Sequence, residues 1–196
     1  MNIVDPKEAL RVLDMRRNLA IFFILSTIIL NAEVLIYLVN PYILFNKWYF
    51  RSWLSIWFIS GIFFSMWFYR AYCNLKLLGM GKLRWDPYFA ALSIWVPIAN
   101  LYLPYAIMSE LHSSSTINDN EKRKPSRLPL VWWVCLLSSF FLGLAIHSTG
   151  SQSDIGIFLN LIRYFLFAFS GVILIKLISN INQEQHRSFE FIRSTH

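Results

Sequence analysis

The stretch WDPYFAALSIWVPIANLYLPYAIMSEL, residues 85–111, decides how this chain is arranged. It is apolar and aromatic enough to enter a membrane. Pro87, Pro97 and Pro104 nevertheless divide it into pieces of roughly seven to ten residues, each about half a bilayer long. Asp86-Pro87 suits the start of a short helix, Pro97 must interrupt it near Ser93 or Ile94, and Pro104 suits the start of another. Backbone stripped of amide partners at membrane depth is tolerated only against protein or a wet cavity. Asn100, between the breaks, is placed to bond that backbone or a ligand.

Working outward, four apolar runs flank this segment: 19–39, 53–69, 130–146 and 157–178. About twenty residues of helix rise about 30 Å, which matches the hydrocarbon thickness. The fold expected is therefore an all-α integral membrane protein of about four transmembrane helices plus a proline-broken re-entrant or interfacial segment. In this layout residues 1–17 form a cytoplasmic interfacial helix starting at Asp5-Pro6. Residues 18–111 form a first hairpin with the broken segment, 112–129 a cytoplasmic loop, 130–178 a second hairpin and 179–196 a polar tail. A short loop holding Lys47 and Arg51 is expected before the second run, and the polar stretch 147–156 suits an external turn. Trp48, Tyr49, Trp53 and Trp57 at one end of the second run, and Trp67, Tyr69 and Tyr72 at the other, read as aromatic belts, and Trp132 and Trp133 introduce the third run.

Charge counting chooses between a segment that dips in and returns and one that crosses. If it returns, Lys7, Arg11, Arg16, Arg17, Arg70, Lys76, Lys82, Arg84, Lys122, Arg123, Lys124, Arg127, Lys176, Arg187 and Arg193 all lie inside, against Lys47 and Arg51 outside. If it crosses, the later charges flip and the asymmetry vanishes. The positive-inside tendency selects the return, with both termini cytoplasmic. The same tendency accounts for the net charge of +7, so no nucleic-acid partner is expected. The chain is 56% hydrophobic and 15% charged, against roughly 45–50% and about 25% for soluble domains. That excess has to be solvated by lipid, the one partner the sequence requires.

Within a membrane an ionisable side chain is the first place to look for function, because burying it costs roughly 2.5–3.5 kcal/mol even on insertion scales. Glu33 and Arg163 qualify, each about seven residues from the outer end of its run and so at one depth. The plainer reading is an interhelical ion pair; the functional one is a polar site for a proton, an ion or an anionic ligand, enlarged by Asn31 and Asn160. No catalytic constellation accompanies them. His112, His147, His186 and His196 show no metal or haem spacing, Glu110 and His112 lack a nucleophile, and Cys73 and Cys135 form no Cys-x-x-Cys pair. No metal or cofactor is expected, and a membrane-embedded enzyme is the least favoured class.

One set of spacings resembles a known family. Aromatic-x-x-Arg-x-x-x-Asn falls on Arg70 and Asn74, Trp-x-Pro-x-x-Asn-Leu on Trp95, Pro97 and Asn100, and Pro-Tyr-x-x-Met-x-Glu-Leu on Pro104, Met108 and Glu110. This pattern resembles the bacterial multi-pass membrane family known as domain of unknown function 4328. The resemblance implies a protein of the bacterial cytoplasmic membrane and no particular activity. It draws attention to Arg70, Asn74, Pro97, Asn100 and Glu110. An Arg70–Glu110 pair would pin the two ends of the broken segment; alternatively Arg70 and Lys76 would hold an anionic headgroup. With no catalytic constellation present, the function expected is a non-enzymatic accessory, assembly or scaffold component associating with other membrane subunits or copies of itself; the alternative is a binding or transport protein for a lipid, ion or small ligand using the broken segment around Pro97 and Asn100.

Overall fold

The structure, a computed structural model, describes residues 6–31, 47–77, 79, 83–96, 98–115, 126–149 and 154–194. These form α1 (Pro6–Asn31), α2 (Lys47–Leu77), α3 (Pro87–Leu92), a 3-10 turn (Ala99–Leu101), α4 (Leu103–Ser114), α5 (Leu128–Thr149) and α6 (Asp154–Ser194). Among the described residues there is no strand.

Breakers, and their absence, set these boundaries. α1 begins at Pro6, the position proline favours in a first turn. α2 continues for 31 residues because only Gly61 weakens it, at a cost of about 1 kcal/mol. Lys47 and Arg51, expected in a loop, therefore belong to its first turns. α6 is longer still: 41 residues make about 60 Å of helix, twice a hydrocarbon core. Residues 179–194 of the expected polar tail are its final turns. They stay helical because Ile178, Ile181, Asn182, Gln185 and Ser188 recur on one face and are all buried.

Among the described residues, three helices are long and apolar enough to cross a membrane: Arg51–Leu77, Leu128–Ile146 and Ile155–Phe191. Four spans were expected. The described apolar part of the first, 19–31, gives only about 20 Å of helix, and its continuation to residue 39, with Glu33, lies outside the described residues. Less than a third of each apolar window is buried, and Phe22, Phe58, Phe140, Phe158 and Phe165 face outward. Water does not solvate such faces and lipid does, so this is a membrane protein.

Neighbouring long helices run antiparallel. Arg16 on α1 donates from Nη1 to the carbonyl of Met66 on α2 at 3.0 Å, and Phe23 stacks on Phe63 with ring centroids 4.8 Å apart. On α5 and α6, Ser139 donates to the carbonyl of Arg163 and Ser170 to that of Trp132, each at 3.2 Å. α1 meets α6 through Asp14, which accepts from Asn182 Nδ2 at 2.6 Å and lies 3.1 Å from His186 Nε2. The N-terminal part of α1 and the C-terminal parts of α2, α4 and α6 thus gather at one end of the bundle.

That end is the packed core. Trp67, Phe68, Tyr72, Leu75, Leu111 and Ile181 are buried there. Trp67 and Tyr72, read from the sequence as belt aromatics at a lipid interface, are core residues: α1, α4 and α6 surround this part of α2 and leave lipid no access.

Candidate functional site

The broken segment folds as its prolines require. Asp86 has extended backbone and accepts from the Tyr88 amide at 2.9 Å, capping α3, whose first residue is Pro87; Pro104 sits in the first turn of α4. Between them α3 ends at Leu92, and single turns carry the chain onward, with Trp95 N–H donating to the carbonyl of Leu92, Asn100 to that of Val96 and Tyr102 to that of Ala99. The Leu101 carbonyl accepts the indole N–H of Trp133 from α5 at 2.9 Å. A neighbouring helix thus supplies the donor that broken backbone needs. Pro97 lies outside the described residues.

The segment leaves and rejoins the same end of the bundle. Glu110 on α4 accepts from the Tyr72 hydroxyl and, at 2.7 Å, from the backbone N–H of Arg84, while Lys76 lies 3.5 Å from Asp86. No ion pair joins Arg70 to Glu110 among the described residues. The expected pinning of the two ends exists, but Tyr72 and the Arg84 backbone perform it, because they reach the carboxylate first. Further in, Trp95 lies against α2. A Cβ on Gly61 would come within 2.8 Å of its ring, and its indole donates to Ser65 Oγ at 3.0 Å. Gly61 is nine residues along α2 from Arg70, so the segment reaches about 14 Å into the bundle.

Beside Trp95 the helices enclose a half-open cavity of about 200 Å³. α1 contributes Thr27, α2 Ser60 and Phe64, the broken segment Trp95 and Asn100, α5 Trp132 and Trp133, and α6 Phe167 and Ser170. The walls are mostly apolar. Thr27 and Ser170 have spent their hydroxyl protons on the carbonyls of Phe23 and Trp132. The Asn100 carboxamide makes no hydrogen bond among the described residues. A mostly apolar hollow with one uncommitted carboxamide has the character of a small-molecule site.

The other sequence candidates lie elsewhere. Asn74 is fully buried and donates to Gln185 at 3.3 Å; Gln185 in turn donates to the Ala71 carbonyl at 2.9 Å. This ties α2 to the last turns of α6 and is a packing role. Arg163 donates from Nε to Asn160 at 3.2 Å, near Gly143 of α5. Its expected partner Glu33 lies outside the described residues. Cys73 and Cys135 are free thiols, and no group of three or more His, Cys, Asp and Glu side chains among the described residues is arranged to hold a metal.

Sequence reasoning missed Trp133 and Gln185. Trp133, read only as introducing the third apolar run, covers the break. Gln185, placed in a tail, is a core residue, and its helical spacing from Ile178 and Ile181 was the available signal.

Fold and site together define a helical membrane protein with a broken segment folded into its bundle. The chain belongs to the family described as Domain of unknown function (DUF4328), whose model matches residues 44–183. Neither a curated protein nor a solved structure matches it.

Proposed function

We propose that this chain binds an apolar or amphipathic small molecule, such as a lipid chain end, in the cavity beside Trp95 and Asn100. The observation that carries this reading is the cavity itself. Protein interiors pack with few voids larger than a water, and this hollow of about 200 Å³ stands half open between five parts of the bundle. The volume is below the about 300–1,000 Å³ of drug-sized sites, which favours part of a chain entering from lipid over a whole large ligand. Asn100 supplies one polar contact for an ester, carbonyl or hydroxyl near the chain end. The accessory or scaffold role rests only on outward apolar faces, which surrounding lipid would suffice to cover.

The same reading supplies an orientation. Arg11, Arg16, Arg17, Arg70, Lys76, Arg187 and Arg193 share one end of the bundle, which supports a multi-pass protein with that end and both termini in the cytoplasm. The segment 85–111 is then re-entrant from that side, in the bacterial cytoplasmic membrane that the family resemblance implies.

Native mass spectrometry of protein extracted in mild detergent tests the binding. Wild type should carry a defined lipid-like adduct, and Leu136→Phe, which grows into the cavity, should lose most of it. A wild type free of adduct after reconstitution with membrane lipids would overturn the reading.

A further inference from the structure

A second site lies at the charged end, away from the cavity, where neither Arg16 nor Arg70 is a lining residue. Arg16 reaches from α1 to the carbonyl of Met66, one turn before Arg70 on α2, which sets the two guanidinium groups side by side. Each is half-buried, and each has a buried Nε–H with no partner among the described residues. The nearby carboxylates are engaged elsewhere. Asp14 faces Arg17, Asn182 and His186, Glu110 holds Tyr72 and Arg84, and Asp86 faces Lys76. Neither Arg16 nor Arg70 makes an ion pair among the described residues.

Like charges side by side repel, and an anion shared between them removes that repulsion. Burial, and then the charge of Arg70, pull the Arg16 guanidinium below its ordinary value. It nonetheless stays protonated in this setting, since arginine starts so high. Guanidinium groups present planar paired donors that match phosphate oxygens, and a pair of them at the expected membrane surface fits the phosphate of a lipid headgroup. Lys76, the partner suggested by sequence, is taken by Asp86; Arg16, fifty-four residues before Arg70, takes its place.

We propose that Arg16 and Arg70 form a binding site for a phosphate group, carried either by an anionic lipid or by a free phosphate species. Oxygens of the phosphate accept from the terminal Nη–H groups of the two guanidiniums, and its charge removes the repulsion between the arginines.

Thermal unfolding of the full-length protein in neutral detergent tests this, with additions of phosphatidylglycerol, phosphatidylcholine or inorganic phosphate. Phosphatidylglycerol should raise the midpoint of wild type by several degrees and phosphatidylcholine should not. Arg16→Gln and Arg70→Gln should lose that rise, and Arg70→Gln, which gives up no hydrogen bond among the described residues and relieves the repulsion, should unfold no earlier than wild type without additive. A rise with inorganic phosphate too identifies any phosphate as the ligand; a rise with the lipid alone identifies the headgroup. Equal responses to the two lipids, or an undiminished rise in both glutamine variants, would overturn the site. Should a glutamine variant fail to fold, Arg70→Lys, expected to keep part of the rise, and the lipid contrast in wild type still decide the matter.

Discussion

Two levels of one bundle contrast sharply. At the charged end, where α1, α2, α4 and α6 meet, Trp67, Tyr72, Leu111 and Gln185 are fully buried and interlocked. About three turns further along α2, those helices together with α5 and the broken segment leave a hollow of about 200 Å³. The chain's composition allows close packing, since it achieves it at the first level. The difference lies in the broken segment: Trp95 wedges against Gly61 and Trp133 reaches to Leu101, and between these two fixed rings the segment is too short and bent to fill the space.

The same truncation made at each level tests this most strongly. Leu111→Ala should cost about 3 kcal/mol, the usual range for a fully buried leucine, whereas Leu136→Ala at the cavity wall should cost about 1, because its side already faces a void. Urea unfolding in detergent reads both, and equal costs would erase the distinction between the levels. Next in size, Gln185→Leu keeps the volume but strips the buried Asn74 of its one side-chain partner, and should cost about 2 kcal/mol. A neutral outcome would mean that shape alone, without hydrogen bonding, seals the charged end.

The sequence made the broken segment legible because prolines act locally. Asp86-Pro87 and Pro104 start helices where they were expected to, and the gap between them contains the break. It did not make the partners legible, since those come from far along the chain. Glu110 was visible as an anchor, but nothing local distinguishes Arg70 from Tyr72 as its partner. Trp133 lies 32 residues beyond the carbonyl it covers, and Gln185 is 111 residues from Asn74. Apolar patterning also overcounts lipid contact, because a tryptophan facing a protein core and one facing a headgroup look alike in sequence. Trp67 was misplaced for that reason.

Two smaller effects separate the break from the hollow it borders. Trp133→Phe removes only the donor to the Leu101 carbonyl and should cost about 1 kcal/mol, with faster hydrogen exchange confined to residues 98–103. Exchange unchanged there would assign the bend to the prolines alone.

Asn100→Leu should change stability least, within about 0.5 kcal/mol, because the carboxamide gives up no internal hydrogen bond and the leucine adds apolar contact at the wall. Its effect belongs to the occupant. If the carboxamide holds the polar atom of a bound chain, the variant unfolds like wild type and yet arrives in the mass spectrometer without its adduct, or with a purely hydrocarbon one. If adduct and stability both persist, the hollow selects by shape alone and the polar contact belongs to another residue of the wall, with Ser60 the first to substitute.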